Sequence, residues 1–174
     1  MVQNRDAGLQ IKNIDDFFKF IVNDWMVYDI GVCERKDNHA NIATVVLLCC
    51  YTEFLGSLIT GKGRGNERNN LYAFCESYLG RINPKYDNFK CKLYEDFRCG
   101  LVHQYFPKKG TGIVRDDDSR HFVLDQDILY VNITKYYEDF KKAILTLRED
   151  VIKKQAMKRI CLKRLKDLGI EIDR

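Results

Sequence analysis

Apolar residues recur every three or four positions through most of the chain, which is the spacing of helices that pack one face against a core. The first such stretch covers residues 17–28. Asn13 or Asp15 can cap it, and we expect it to end near Gly31. The second stretch, residues 40–59, is apolar on nearly every side and is predicted to be mostly buried. Both stretches predict helices in the core of the fold.

The next two predicted helices are separated by a turn at Asn83 and Pro84. The earlier of the two covers residues 67–79. The later one is predicted to end at Pro107, because proline cannot continue a helix. Its apolar face repeats at about four residues, and a helix of this kind packs against a core. That face consists of Leu93, Phe97, Leu101 and Phe106.

After this proline the pattern changes to short runs rich in β-forming residues, separated by acidic turns. These runs predict a small hairpin or three-stranded insertion over about residues 112–132. His121 is expected on its surface, and the three aspartates at 116–118 are expected to form a solvated turn. The runs lie at residues 113–115, 121–124 and 128–131.

A last helical region is predicted over about residues 134–168, with a cap in the segment 132–134 and a stop at Gly169. Its apolar stripe slips near residues 154–157, where we expect a break. The whole pattern predicts a single all-α domain over residues 1–174. We expect an up-and-down helical bundle of four to five main helices, with the small β-hairpin insertion before the last long helix.

Composition narrows the class of protein. Charged residues make up 31% of the chain and hydrophobic residues 45%, a balance that excludes a disordered chain. The longest apolar run, residues 43–51, falls short of the roughly 20 residues that span a bilayer, and the first residues do not have the order of a signal peptide. We therefore expect a cytoplasmic protein with no membrane segment.

The seven cysteines include no C-x-x-C pair, so no zinc site or other metal site is predicted, and no sequence motif predicts a cofactor. Most of them lie at apolar positions of predicted helices and are expected to be buried thiols in a reducing compartment. Cys99 is different because it follows Arg98, and a neighbouring guanidinium favours the thiolate.

The helix that precedes Pro107 carries the main candidate chemistry. Arg98 and His103 are separated by four residues, and Tyr105 follows, which gives an Arg-x4-His-x-Tyr string. On an ideal helix the two side chains are about 140° apart around the axis and about 7.5 Å apart along it. Gly100 weakens the helix between them. A second copy across a two-fold axis would place two Arg/His sets in one cleft, so a homodimer is expected if the site is real.

An imidazole and a guanidinium suit attack on a phosphodiester. The imidazole can take a proton from a ribose 2′-hydroxyl or give one to the leaving oxygen, and the guanidinium stabilises the charge on the phosphoryl oxygens. The structural alternative pairs Arg98 with Glu95 or Asp96 and leaves His103 as a cation in the last helical turn. Glu53, in the apolar second helix, is another possible partner of Arg98, either in a structural ion pair or as an orienting group.

This string resembles the Arg-x4-6-His signature of the HEPN superfamily, whose members are helical bundles and often metal-independent endoribonucleases. The resemblance implies that Arg98 and His103 are the catalytic pair and that single-stranded RNA is cut to leave a 2′,3′-cyclic phosphate. The Arg-x4-His-x-Tyr form is similar to HEPN toxins paired with nucleotidyltransferase-type antitoxins, in which the tyrosine, here Tyr105, is modified.

Active members usually have Asn, Asp or His directly after the arginine, where this chain has Cys99. Two alternatives therefore stay open. One is a non-catalytic HEPN-like module that binds a nucleotide, RNA or a partner protein. The other is a plain dimeric helical scaffold.

Cations near the string are candidates for phosphate or RNA binding. Lys62 and Arg64 lie in a glycine-rich stretch that reads either as a phosphate cradle or as an inter-helix loop, and Lys108 and Lys109 follow Pro107. From residue 135 onward the chain has 12 Lys and Arg against 7 Asp and Glu. This basic helix is predicted to be either a phosphate-tracking face or a solvated surface.

Overall fold

The computed structural model describes residues 11–35, 37–38 and 40–172, which form six helices and one three-stranded sheet. The predicted class, mostly helical with a small β insertion, is confirmed. The helices are α1 (residues 14–34), α2 (Asn41–Thr60), α3 (residues 67–82), α4 (residues 85–104), α5 (Ile133–Lys153) and α6 (Gln155–Asp167). The strands are β1 (Thr111–Val114), β2 (Val123–Asp125) and β3 (Ile128–Asn132).

Helix α1 begins at the predicted cap, because the Asn13 side chain accepts a hydrogen bond from the Asp16 N–H at 2.9 Å. It continues three residues beyond Gly31, where we predicted its end. This glycine makes room for α5 instead of ending α1: a Cβ there would lie 2.9 Å from the Tyr137 hydroxyl oxygen. That hydroxyl donates to the Val27 carbonyl at 2.8 Å and joins the two helices.

Helix α2 lies in the core, as its apolar sequence predicted. Its closest neighbour is α3, and the two backbones meet at Gly56, where a Cβ would lie 1.8 Å from the Asn70 carbonyl oxygen. Thr52 is fully buried and shares a 2.9 Å hydrogen bond with the Tyr136 hydroxyl. Glycine at the crossing therefore sets the distance between α2 and α3.

By length and composition, α2 is also the one described helix that could cross a membrane. Half of it is buried inside the fold, and its hydroxyl-bearing residues Thr44 and Thr52 are hydrogen-bonded there. The core helix of a soluble protein has these properties, and we interpret α2 as one.

Helix α4 ends at Gln104, three residues before the predicted stop at Pro107. Tyr105 adopts the left-handed conformation, with φ 65°, and the chain then turns back along the helix. The Lys108 N–H donates to the Asp96 carbonyl at 3.1 Å. The prediction that Phe106 extends the buried face is therefore wrong: this side chain is 64% exposed.

Gly100 explains how the returning chain fits against α4. A Cβ at this position would lie 2.8 Å from the Phe106 carbonyl oxygen and 3.1 Å from the Lys108 nitrogen. This glycine, which we predicted to weaken the helix, therefore has a packing role. The backbone of residues 106–108 lies directly on it.

The sheet has three strands, the second of the two predicted alternatives, and β3 lies in the centre and pairs with both other strands. β2 and β3 form an antiparallel hairpin whose turn residues, Gln126 and Asp127, both have positive φ, as in a type I′ turn. β1 pairs with β3 in parallel, with Ile113 opposite Val131. The insertion is therefore a mixed sheet that leads straight into α5.

His121 is buried, and the prediction of a surface position is wrong. Its Nε2 atom lies 3.2 Å from the Tyr86 hydroxyl oxygen and 3.9 Å from Asp139 Oδ2, and Tyr86 donates to the same carboxylate at 3.3 Å. The Phe122 ring packs on the imidazole at 4.4 Å between centroids. We call His121, Tyr86, Asp139 and Phe122 the buried histidine cluster.

Burial, with help from the Lys85 charge, lowers the pKa of His121 to about 4. Burial also raises the pKa of Asp139. Both side chains are therefore biased towards their neutral forms, which suits an interior position between α4, α5 and the sheet.

The predicted break between the last two helices is confirmed at Lys154, whose extended backbone separates α5 from α6. Helix α5 begins with the predicted cap, since the Asn132 side chain accepts from the Lys135 N–H at 3.0 Å. Buried residues of all six helices and of β3 join in one hydrophobic cluster. The candidate site lies at the edge of this cluster, on α2 and α4.

The prediction of buried thiols holds for Cys49, Cys75 and Cys161, whereas Cys91 is exposed and the other three are partly buried. All seven are free thiols. Burial raises the pKa of Cys161 to about 12. The three buried thiols thus act as small apolar side chains.

Candidate functional site on helix α4

Arg98 is fixed by a carboxylate from another helix. Its Nε atom donates to Glu53 Oε2 on α2 at 2.9 Å, and the two side chains are only 17% and 18% exposed. Burial by itself lowers the pKa of Arg98, but the charge and hydrogen bond of Glu53 outweigh burial and raise it. The guanidinium is therefore charged, and one edge of it is oriented by α2.

This ion pair decides between the predicted partners of Arg98. Glu95 pairs with Arg68 on α3 at 3.0 Å, and Asp96 pairs with Lys92 at 3.7 Å. Glu53 is the partner, as the apolar surroundings of this carboxylate suggested. The pairing ties the middle of α2 to the π-helical segment Leu93–Arg98 of α4, and such segments are frequent at functional sites.

The Tyr94 ring lies next to the guanidinium of Arg98. The Arg98 Cζ atom lies 5.9 Å from the centroid of the Tyr94 ring, and Arg68 lies over the same ring at 5.5 Å. Burial, followed by the neighbouring Cys99 thiol, raises the pKa of Tyr94. The sequence reasoning missed this residue, although its position four residues before Arg98 on a helix was the signal for a contact.

His103 lies in the last turn of α4 with an exposed side chain, and no hydrogen bond or ion pair reaches it from the described part of the chain. From Arg98 to His103 the helix turns by about 140°. The two therefore mark the opposite edges of one surface of α4. In the described part of the chain, no group forms a hydrogen bond or ion pair that would hold its nitrogens.

The surface between these edges faces solvent. Val102 and Cys99 follow Arg98 around the helix at about 40° and about 100°. Val102 is 43% exposed and Cys99 is partly buried. We call the surface formed by Arg98, Val102, Cys99 and His103 the α4 face; it presents a cation, an apolar side chain, a thiol and an imidazole together.

Tyr105 lies just beyond the α4 face and is 66% exposed. Its ring contacts the ring of Phe106 edge-on, with 5.6 Å between centroids. The left-handed backbone at Tyr105 directs the chain away from the helix axis. The hydroxyl is thus open to another molecule.

Lys62 and Arg64 are exposed on the loop between α2 and α3. The loop is held in place, because the Asn70 amide donates to the Lys62 carbonyl at 3.1 Å and the Gly65 N–H donates to Glu67 at 2.8 Å. That backbone bond, with smaller effects of Arg98 and Arg64, lowers the pKa of Glu67. Arg64 thus lies within electrostatic range of the same carboxylate as Arg98.

Lys108 and Lys109 are exposed at the end of the segment that returns along α4. The Lys108 N–H bonded to Asp96 fixes this segment beside the helix. Of the predicted site residues, the structure brings Glu53 into direct contact with Arg98. The side chains of the others form no hydrogen bond or ion pair with Arg98 or Glu53 among the described residues.

Cys50, which the sequence reasoning also missed, lies one turn before Glu53 on α2. Burial raises the pKa of Cys50, and the nearby Arg98 charge lowers it in part. In the described ranges, no three His, Cys, Asp or Glu side chains are grouped so as to hold a metal ion. The site therefore offers proton transfer at His103 and charge stabilisation at Arg98.

Comparison of the chain with protein-family models, with curated proteins and with solved structures gave no match.

Proposed function

We propose that the protein is an endoribonuclease of the HEPN type that cuts single-stranded RNA without a metal ion. One observation carries the proposal: a guanidinium fixed by a carboxylate and an imidazole with no partner among the described residues mark the two edges of a solvent-facing helix surface. A guanidinium that is already oriented costs little reorganisation when charge develops on a phosphate. An unpartnered imidazole is available for proton transfer.

In this mechanism a ribose 2′-hydroxyl attacks the adjacent phosphorus. His103 takes the hydroxyl proton or gives a proton to the leaving 5′-oxygen, and Arg98 stabilises the negative charge on the phosphoryl oxygens. The bond to the 5′-oxygen breaks, which leaves a 2′,3′-cyclic phosphate and a 5′-hydroxyl end. DNA lacks the attacking hydroxyl and should not be cut.

The active form in this proposal is a homodimer that pairs two copies of the α4 face. The arrangement is supported by the exposed Val102 between Arg98 and His103, since a second copy would cover this apolar side chain and place two sets of groups in one cleft. The Val102→Glu variant should sediment as a monomer. Leu145→Glu, which changes an apolar residue of α5 that is 56% exposed, is the matched control and should sediment like the wild type.

The first test is cleavage by the purified protein in excess chelator. A labelled single-stranded RNA should be cut to products that end in a cyclic phosphate, and the DNA of the same sequence should stay intact. Cleavage of DNA at a similar rate, or loss of RNA cleavage on adding chelator, contradicts the proposed mechanism.

The proposal has three finer features. An up-and-down bundle and a cytoplasmic location are expected from the sequence pattern and composition, and the resemblance implies a toxin role with a nucleotidyltransferase-type antitoxin that modifies Tyr105. The exposure of Tyr105 supports the last of these, because a modifying enzyme must reach the hydroxyl. Incubation of a Tyr105→Phe variant with such an enzyme should give no modified protein.

A second candidate function is RNA or nucleotide binding without cleavage. Cys99 favours it, because active relatives usually carry Asn, Asp or His at this position. In that case the wild-type protein binds RNA but leaves it intact, and His103→Ala retains the affinity.

A further inference from the structure

A second surface of the molecule has a composition unlike that of the α4 face. A groove of about 900 Å³ lies between the start of α1, the exposed side of α6 and the tail that follows α6. Five cationic side chains line it, with Glu171 as the one carboxylate among the described residues of its lining. The cations are Lys12, Lys158, Arg159, Lys163 and Lys166.

Among the described residues, these cations have no carboxylate partner. The four on α6 form no ion pair with any residue in the ranges that the structure describes, and three of them are exposed. Elsewhere on the surface, lysines and arginines such as Arg68 and Lys153 do have carboxylate partners. This groove, which we call the α6 groove, therefore keeps an excess of positive charge that an anionic partner can neutralise.

The floor of the groove is aliphatic. Leu162 lies on α6 between the cations, and Ile14 approaches from α1. Ile170 and Ile172 come from the tail, which is held against α6: Gly169 has φ 78°, its N–H donates to the Lys166 carbonyl at 2.9 Å, and the Ile170 N–H donates to the Leu165 carbonyl at 3.0 Å. This is a Schellman motif, and it fixes the tail along the groove.

We propose that the α6 groove binds an acidic amphipathic segment of a partner protein. An aliphatic floor under a cationic rim matches a helix that has apolar residues on one face and Asp or Glu beside them, and binding of a helix in a groove is a common mode of peptide recognition. The charge favours this partner over a neutral one and speeds its association.

RNA fits the groove less well. Single-stranded nucleic acid is usually held by aromatic side chains on which bases stack. None of the described residues that line the groove is aromatic. A bilayer is also a poor match, because its flat surface cannot reach apolar side chains at the bottom of a concave groove.

The test uses a fluorescent peptide of about four helical turns with Leu on one face and Glu on the other. The full-length protein should bind it saturably in an anisotropy titration. The double variant Lys163→Glu with Lys166→Glu should bind at least about tenfold more weakly. Both positions are exposed, so the charge reversal should not disturb the fold, which a far-UV spectrum verifies.

The matched control reverses two exposed lysines outside the groove, Lys19→Glu with Lys141→Glu, and should bind the peptide like the wild type. Leu162→Ser keeps the charge and removes part of the floor, so it should weaken binding of this peptide. A second peptide, with every Leu replaced by Ser, should bind much more weakly than the first.

Three outcomes would overturn the proposal. The first is the absence of saturable binding of the Leu/Glu peptide to the wild type. The second is equal affinity for the Ser-containing peptide, which would show that charge alone acts. The third is tighter binding of a single-stranded RNA than of the peptide, lost in the Lys163/Lys166 variant, which would make the groove an RNA site. The groove lies outside the proposed catalytic pair, so none of these results depends on RNA cleavage.

Discussion

The two described histidines lie in opposite environments: His103 is on α4, and His121 packs against Tyr86 of the same helix. His103 is exposed at the end of this helix without a partner in the described ranges, whereas His121 is enclosed by Tyr86, Asp139 and Phe122. The buried ring has a hydroxyl and a carboxylate beside it, which on paper resembles a catalytic constellation more closely than the exposed one does.

The comparison shows why contacts alone do not identify a catalytic histidine. Burial lowers the pKa of His121 to about 4 and encloses the ring, so no substrate can reach its nitrogens. His103 has no such enclosure, and a fixed guanidinium lies on the same helix surface. In the proposed function, the exposed histidine therefore carries the chemistry and the buried one has a structural role.

Replacement of the exposed histidine tests this assignment most directly. His103→Ala should reduce RNA cleavage by about 10² to 10⁴-fold, the usual effect of removing a general acid or base. Its thermal unfolding should match that of the wild type, because the ring packs against nothing in the described structure. Initial rates on a labelled RNA and a melting curve measure the two quantities.

The control for this variant is Gln104→Ala, an exposed residue of the same helical turn, which should cut RNA at the wild-type rate. Full activity of His103→Ala would contradict the assignment.

The buried histidine should show itself in the pH dependence of stability. Its pKa is about 4 in the fold and near the ordinary histidine value of 6.5 in the unfolded chain, so between these values the unfolded chain binds more protons. The free energy of unfolding should therefore fall as the pH decreases from about 6.5 to about 4, by about 3 kcal/mol from this group. Asp139, whose pKa burial raises, acts in the opposite direction.

Urea unfolding at several pH values measures this effect as the difference between the wild type and His121→Gln. The difference should depend on pH in the stated range. Gln104→Ala replaces an exposed residue that does not titrate, and its difference from the wild type should stay nearly constant over the same range. Equal pH dependence of the two variants would argue against a buried, neutral His121.

The ion pair of Arg98 can be weakened without removing the arginine. Glu53→Gln removes the charge that orients the guanidinium and should lower cleavage by about tenfold, because misplacement of a catalytic group by a small distance has effects of this order or larger. Stability should fall as well, by about 1 to 3 kcal/mol, because the substitution leaves the mostly buried guanidinium beside a neutral amide.

Glu95→Gln removes a carboxylate that lies close to Arg98 in sequence but pairs with Arg68. It should leave cleavage unchanged. If Glu53 had a purely structural role, Glu53→Gln would lower the free energy of unfolding and still cut RNA at the wild-type rate.

The smallest effect is expected at Cys99. Cys99→Asn introduces an amide that donates stronger hydrogen bonds to a phosphate oxygen than a thiol does, so cleavage should rise by a few fold. Cys99→Ser is the companion variant with a smaller donor. A fall in activity with Asn would show that the thiol itself takes part.

Much of the fold could be predicted from the sequence because helices leave a local record. Spacing of apolar residues located α1, α2 and the break at Lys154, and the side chains of Asn13 and Asn132 marked two helix starts. Glu53 was one of three candidate partners of Arg98, because a lone carboxylate in an apolar helix needs a cation.

The errors arose where distant parts of the chain decide the local structure. His121 is buried against Tyr86, which lies 35 positions before it in the sequence, and against Asp139, which comes after it. No local sequence pattern predicts these contacts. Phe106 continues the apolar repeat of α4, but the left-handed turn at Tyr105 removes it from the helix. The apolar repeat identifies the buried face of a helix but does not show at which residue the helix ends.

Gly100 lies between Arg98 and His103 in the sequence and has no side chain. Its missing Cβ is what lets the backbone of residues 106–108 lie on the helix, so any larger residue must push that segment away. In a screen of random single substitutions for loss of function, changes at this position should therefore group with changes at Arg98 and His103. A geneticist who maps such a screen would find an inert residue that behaves like a reactive one.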